Sequence, residues 1–151
     1  MPNWCMNELI VSGKAKDLAV FKAQAHRPAK GDECEVDFCI ARFIPIPEEL
    51  VGTRAPSLKP NPRLIKKYGN DNWYDWCVKN WGTKWDVEGQ AAGVSKGKLG
   101  YTFDSAWAPP SQALQKISEM YPTLKFTLTF SEEGMGFSGT EEFLGGEITE
   151  L

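Results

Sequence analysis

Polar and apolar positions fall into short phased segments separated by Gly and Pro. Residues 4–12 alternate, with Cys5, Leu9 and Val11 on one side and Gly13 as the stop, which is the two-residue period of a half-buried strand. Over 16–25 the period changes. Leu18, Phe21 and Ala25 stand at i, i+3 and i+7 and form a helical stripe that Pro28 ends. An acidic turn at 31–35 leads to a second predicted strand over 36–44, with Val36, Phe38 and Ile40 in phase; Pro45 and Pro47 take it out of the sheet at an edge. Residues 48–70, punctuated by Gly52, Pro56, Pro60, Pro62 and Gly69, read as a loop with short helical turns. Asn70 or Asp71 caps a predicted helix over 70–80, on which Trp73, Trp76, Cys77 and Asn80 share a face, and Gly82 stops it.

Residues 83–88 alternate again, with Trp85 and Val87 on one side. A flexible Gly/Ala/Ser stretch over 89–97 precedes a third alternating run, 98–107, through Leu99, Tyr101, Phe103 and Ser105; the two runs are expected to form a hairpin with a long loop. Pro109 and Pro110 open a helix with Leu114, Ile117 and Tyr121 inward, and Pro122 closes it. A strand over 124–131 buries Leu124, Phe126, Leu128 and Phe130, and after Gly134 and Gly136 a last strand over 137–143 pairs with it.

The order strand, helix, strand, insert, strand, helix, strand is a split β-α-β pattern. It predicts an α+β, ferredoxin-like sandwich, one domain over 1–151, with a Trp-rich helix and hairpin inserted at approximately 47–97 between the second and third core strands. A chain of 151 residues can hold such a core without disulfide or metal, and 42% hydrophobic with 25% charged residues is globular rather than disordered.

Charge narrows the function classes. The net charge of −3 counts against a protein that lives by phosphate contacts, although Arg54, Lys59, Arg63, Lys66 and Lys67 form a basic run with no acid among them. Four cysteines without a C-x-x-C pair, and His26 as the single histidine, argue against a zinc site; no metal and no cofactor are expected. Neither a leader peptide nor a membrane-spanning apolar run is visible, so a reduced, cytoplasmic protein with free thiols is expected. Gly134-Met135-Gly136-Phe137-Ser138-Gly139 spells a dinucleotide fingerprint but lacks a following helix, and reads as a hairpin turn. His26, at a helix end, is ordinary dipole chemistry rather than a nucleophile's base.

Six tryptophans, four of them between 73 and 85, are the unusual feature. At helical spacing they are expected to form the core of the insert; the functional alternative is an aromatic platform. Several strings resemble the Api-like proteins of phages and plasmids. These are Met1-Pro2-Asn3-Trp4-Cys5 with Asn7, Leu9, Val11 and Gly13; Pro45-x-Pro47-x-x-Leu50; Asn72-Trp73-Tyr74-Asp75-Trp76; Asn80-Trp81-Gly82-Thr83-Lys84-Trp85-Asp86; Ala106-Trp107-x-Pro109-Pro110; and Glu133-Gly134-x-Gly136-Phe137-x-Gly139. Ala108 and Ser105 depart from the pattern, where serine and threonine are expected. The resemblance implies a ferredoxin-like domain with a Trp-rich insertion from a bacterial or mobile-element genome, and it contributes no catalytic residues.

Three functional readings follow. The first is a small binding module for a protein partner, from the acidic charge and the Trp/Tyr-rich segment of interface composition. The second is a nucleic-acid binder using Arg63, Lys66, Lys67 and the Trp cluster, although the third strand lacks the RNP signature. The third is an enzyme using outward-facing Asp86 and Asp104 on neighbouring strands. The candidate contacts are Trp81, Lys84, Trp85, Asp86, Asp104, Trp107, Arg63, Lys66 and Lys67, at the seam between insert and sheet.

Overall fold

The computed structural model describes residues 2–151. Its six strands are β1 (Trp4–Ser12), β2 (Gln90–Ser95), β3 (Lys98–Ala106), β4 (Lys125–Glu132), β5 (Phe137–Leu144) and β6 (Glu147–Glu150). Its four α-helices are α1 (Ala15–Ala25), α2 (Pro62–Tyr68), α3 (Trp73–Trp81) and α4 (Ser111–Met120). The strands form one sheet in the order β2-β3-β1-β4-β5-β6, with every neighbouring pair antiparallel. The arrangement β1-α1-β2-β3-α4-β4 is the ferredoxin-like split β-α-β, extended by the β5–β6 hairpin.

Alternation sets the two faces. Cys5, Leu9 and Val11 of β1, Tyr101 and Phe103 of β3, and Phe126 and Leu128 of β4 are buried on one side. There they meet Leu18, Phe21 and Ala25 of α1 and Ala113, Leu114 and Ile117 of α4. Phe21 is the hub, its ring 5.4 Å from Phe126, 5.2 Å from Phe43 and 6.3 Å from Tyr101. The opposite positions, among them Met6, Glu8, Asp104, Thr102 and Thr129, stay solvent-facing, so the antiparallel sheet is covered on one side only.

Two expectations are corrected. Residues 36–44 are not a strand. Val36, Phe38 and Ile40 are buried as their phase requires, but Cys39 is buried too, and the backbone makes only single bridges, Val36 to Arg27 and Phe38 to Gly89. A 3-10 turn over Ile40–Arg42 then ends the extension. The place beside β3 belongs instead to 90–95, the stretch read as flexible. Its Ala and Gly residues are poor strand formers, yet a two-residue turn at Lys96 and Gly97 delivers the chain straight back along β3, and Gly97 takes the left-handed φ of 78° this requires. A bulge between Ala91 and residue 94 marks it as an edge strand.

The inserted segment therefore lies between α1 and β2, over 26–89, and not between the second and third core strands. Within it α3 forms as predicted, but Asn72 is the cap, its Oδ1 accepting from the Asp75 N–H at 2.9 Å. Residues 83–88 are irregular rather than a strand. The C-terminal acidic stretch carries the further strand β6, which the sequence pattern did not announce.

Candidate functional site

The tryptophans divide into two groups. Trp76 and Trp81 lie edge to face with centroids 5.8 Å apart, and Trp81 is 1% exposed with its Nε1–H donating to the Ile44 carbonyl at 2.9 Å. They are the core of the inserted segment, where Leu50, Leu64 and Cys77 join them. Trp73 is half-buried. Trp4, Trp85 and Trp107 are 47%, 41% and 45% exposed.

These three exposed rings come to one end of the sheet. Trp4 opens β1 opposite Ala106, the last residue of β3, and its ring centroid lies 6.0 Å from that of Trp85. Lys84 places its Nζ over the Trp85 ring at 4.1 Å, a cation–π contact. Thr83, buried, ties this segment to β3 by donating to the Ala106 carbonyl at 2.8 Å. Trp107 follows Ala106 with φ 71°, a left-handed conformation that is unfavourable for a bulky side chain. Its N–H donates to the Asn3 carbonyl at 2.8 Å, and the Ala108 N–H to the Ala106 carbonyl at 2.9 Å, which fixes the turn.

From this rim a groove of about 750 Å³ runs across the uncovered sheet face. Its lining includes Met6, Glu8, Glu88, Asp104 and the hydroxyls of Thr102, Thr129, Ser131, Ser138 and Thr140. Glu8, Glu88 and Asp104 have no ion-pair partner among the described residues. A second hollow of about 420 Å³ continues it past Pro2, Asn3 and Trp4. Its edge includes Glu132, whose carboxylate accepts from the Gly134 and Met135 N–H groups at 2.6 and 2.7 Å. Those bonds make the glycine string the turn of the β4–β5 hairpin.

Asp86 does not face outward. Its carboxylate accepts from the backbone N–H groups of Ile40 (2.6 Å), Ala41 (3.0 Å) and Val87 (2.8 Å). It thus staples the 3-10 turn to residues 86–87, and burial pushes its carboxyl above the ordinary range despite the three donors. Asp104 lines the groove and Asp86 does not, so the two acids do not share a cleft.

The basic run lies apart, around α2. Arg63 and Lys67 both bond Glu49, each at 2.7 Å, and the Tyr68 hydroxyl joins at 2.9 Å. These donors hold the Glu49 carboxyl down at about 2. Lys66 is exposed and carries no such tie. His26 bonds Glu35 through Nε2 at 2.9 Å. Cys5, Cys39 and Cys77 are buried free thiols, and burial pushes Cys5 to about 11 and Cys77 to about 12.

Of the candidate contacts, Lys84 and Trp85 touch, Trp107 lies at the same end of the sheet, and Asp104 lines the adjoining groove. Trp81 is in the core of the inserted segment, Asp86 is bonded to the backbone at 40, 41 and 87, and Arg63, Lys66 and Lys67 are on α2. Trp4, Met6, Glu8 and Glu88 escaped the sequence reading. The signal for the first three was present, since they occupy the positions of residues 4–12 out of phase with Cys5, Leu9 and Val11.

This is an α+β domain of ferredoxin-like fold with one bare sheet face. Residues 80–151 match the family model described as the ferredoxin-like domain in Api92-like protein, a description that names a fold and no activity. The whole chain is also similar to the crystal structure of a protein api92 from Yersinia pseudotuberculosis, with a TM-score of 0.61, 12% identity, and coverage of 100% of this chain and 98% of that one. At that identity the likeness concerns the fold. No curated protein matches the chain. Among the described residues no helix is long and apolar enough to cross a membrane.

Proposed function

We propose that the chain is a small binding module that docks a protein partner on its bare sheet face, with the Trp rim as anchor. The observation that carries this reading is Trp107, a bulky side chain kept at φ 71° and 45% exposed, at the end of the sheet where Trp4 and Trp85 are also solvent-facing. Backbone strain persists only where surrounding structure enforces it, and it concentrates at functional positions. Exposed Trp is also the residue type most enriched among interface hot spots. Lys84, Trp85, Trp107 and Asp104 are the proposed contacts, with Trp81 and Asp86 anchoring the chain on either side of Lys84 and Trp85.

Glu8, Glu88 and Asp104 give the groove a negative potential. The complementary partner segment carries Lys or Arg beside an aromatic or aliphatic residue that rests on the Trp rings. The same carboxylates repel phosphate, and Glu49 occupies two of the three α2 cations invoked for nucleic acid, so the nucleic-acid reading stands second. The buried thiols fit a reducing compartment and support a cytoplasmic location, and the shared sequence strings favour a bacterial or mobile-element genome.

Trp fluorescence tests the reading. A synthetic peptide containing Arg, Lys and Phe is expected to shift the emission saturably, with affinity falling as salt rises. W85A, W107A and D104N are expected each to weaken it by roughly tenfold. A response to a single-stranded oligonucleotide at low salt, with none to the peptide, transfers the function to nucleic acid. Silence toward both removes the rim as a binding surface.

A further inference from the structure

The helix-covered side of the sheet is not fully closed. Between α1 and the β2–β3 edge lies a cleft of about 460 Å³, lined by Ala19, Lys22, Ala23 and His26 of the α1 flank, Asp37, Ala91 of β2, and Leu99, Gly100 and Tyr101 of β3. Its size and its mostly apolar lining with a few polar groups are those of a small-molecule site. The sequence makes the space: alanine stands at 19, 23 and 91, where larger aliphatic side chains would fill it, and the bulged edge strand β2 carries no helix of its own.

Tyr101 is the polar group without a partner. Its ring packs against Phe38 and Phe21 at 5.5 and 6.3 Å, it is only 2% exposed, and its hydroxyl makes no hydrogen bond. Of the neighbouring polar groups, Lys22 is exposed and makes no ion pair among the described residues, while two others are already engaged. Asp37 Oδ2 accepts from the Ala91 N–H at 2.7 Å, which leaves its other oxygen, and His26 is tied to Glu35. Buried hydroxyls almost always have a partner, and one left without it is costly. Burial, with the Asp37 carboxylate nearby, pushes the Tyr101 phenol up to about 12. At neutral pH it is a donor in need of an acceptor.

We propose that this cleft binds a small neutral molecule with a flat apolar body and one hydroxyl group, whose oxygen accepts from Tyr101 and whose proton turns to Asp37. The apolar body rests on Ala19, Ala23, Ala91 and Leu99. A carboxylate at the Tyr101 end would meet the Asp37 charge, and Lys22 is the one lining cation that could offset it, so benzoate is the probe that decides the ligand's charge. The cleft shares no lining residue with the groove on the bare face, so the two sites stand or fall separately.

The probes are p-cresol, toluene and benzoate, read by NMR of the Ala and Leu methyl groups. p-Cresol is expected to shift the signals of Ala19, Ala23, Ala91 and Leu99 saturably, and to bind roughly tenfold more tightly than toluene or benzoate. Y101F keeps the ring and its packing, and is expected to bind p-cresol no better than toluene. A23W fills the cleft and is expected to abolish both. The proposal is overturned if wild-type protein gives no saturable shift, if Y101F keeps the preference for p-cresol, or if A23W binds undiminished. Preferred binding of benzoate overturns the neutral-ligand assignment.

Discussion

Trp81 and Trp85 are four residues apart and end in opposite environments. Trp81 closes α3 at 1% exposure, with its indole N–H satisfied by Ile44 and its ring against Trp76. Trp85 keeps 41% of its surface in solvent, under the Lys84 ammonium and beside Trp4. Gly82 separates them. It caps α3 in the left-handed region at φ 86°, and its N–H donates to the Val78 carbonyl at 3.1 Å. The chain then turns out of the helix along the end of the sheet. One residue type thus serves as core on one side of a glycine and as surface on the other, and Asp86 and Asp104 divide in the same way.

The sharpest way to break this comparison is truncation of the two rings. W81A removes a fully buried indole and orphans the Ile44 carbonyl, and is expected to cost about 3–5 kcal/mol in urea denaturation. W85A is expected to cost under about 1 kcal/mol, because a half-solvated ring leaves no sealed cavity. Similar losses for the two would dissolve the division into core and rim. The acids come next. D86A leaves the N–H groups of Ile40, Ala41 and Val87 without their acceptor and is expected to cost about 2–4 kcal/mol. D104A, on the open face, is expected to change stability by about 0.5 kcal/mol or less. If D104A costs as much as D86A, the groove carboxylates are structural.

These pairs also mark what could be read from the chain. Two-residue alternation located β1, β3 and β4, the turn at Gly134 and Gly136 located β5, and the apolar stripes located α1, α3 and α4, because the alternating strands and the helices each bury one face against the core. Residues 36–44 had the right alternation and still left the sheet. Periodicity reports which side chains are buried and not which backbone groups pair, and the Asp86 carboxylate, 46 residues downstream of Ile40, takes the N–H groups that a ladder would have used. Conversely, 90–95 lacked strand composition and became β2 because a two-residue turn joins it to β3. Lys84, Trp85 and Trp107 were singled out by the Trp-rich pattern, and Lys84 does lie over Trp85, although 83–88 is irregular where a strand was expected. The inward turn of Asp86 and the bare groove of Glu8 and Glu88 depend on tertiary pairing, which alternation alone does not specify.

Trp107 sharpens the comparison at smaller magnitude. In the left-handed region a residue with a side chain pays a steric penalty that glycine escapes. W107G is therefore expected to leave stability unchanged or raise it by about 1 kcal/mol, while peptide binding at the rim weakens by roughly tenfold, as for W107A. Measured together, thermal midpoint and fluorescence titration separate the two roles. If W107G destabilises by as much as a core truncation, Trp107 belongs with Trp81, and the rim consists of Trp4 and Trp85 alone.

The smallest effect concerns α2, the basic region that competes with the Trp rim for a functional reading. Lys67, Arg63 and Tyr68 lower the Glu49 carboxyl from 4.5 to about 2. A lowered acid contributes stability that is fully present above its unfolded pKa and is lost as pH falls through the folded one. The difference in urea midpoint between wild type and E49Q is therefore expected to be flat above pH ~5 and to shrink between pH ~4.5 and ~2. It is also expected to be small and to diminish with salt, because Glu49 and its two cationic partners are exposed. E49Q frees Arg63 and Lys67 as well. If α2 were a phosphate-binding surface, that release would raise affinity for a single-stranded oligonucleotide at low salt. No change is expected if the proposed docking surface is the acidic sheet face with its Trp rim; a clear gain in E49Q would move the functional centre from the rim to α2.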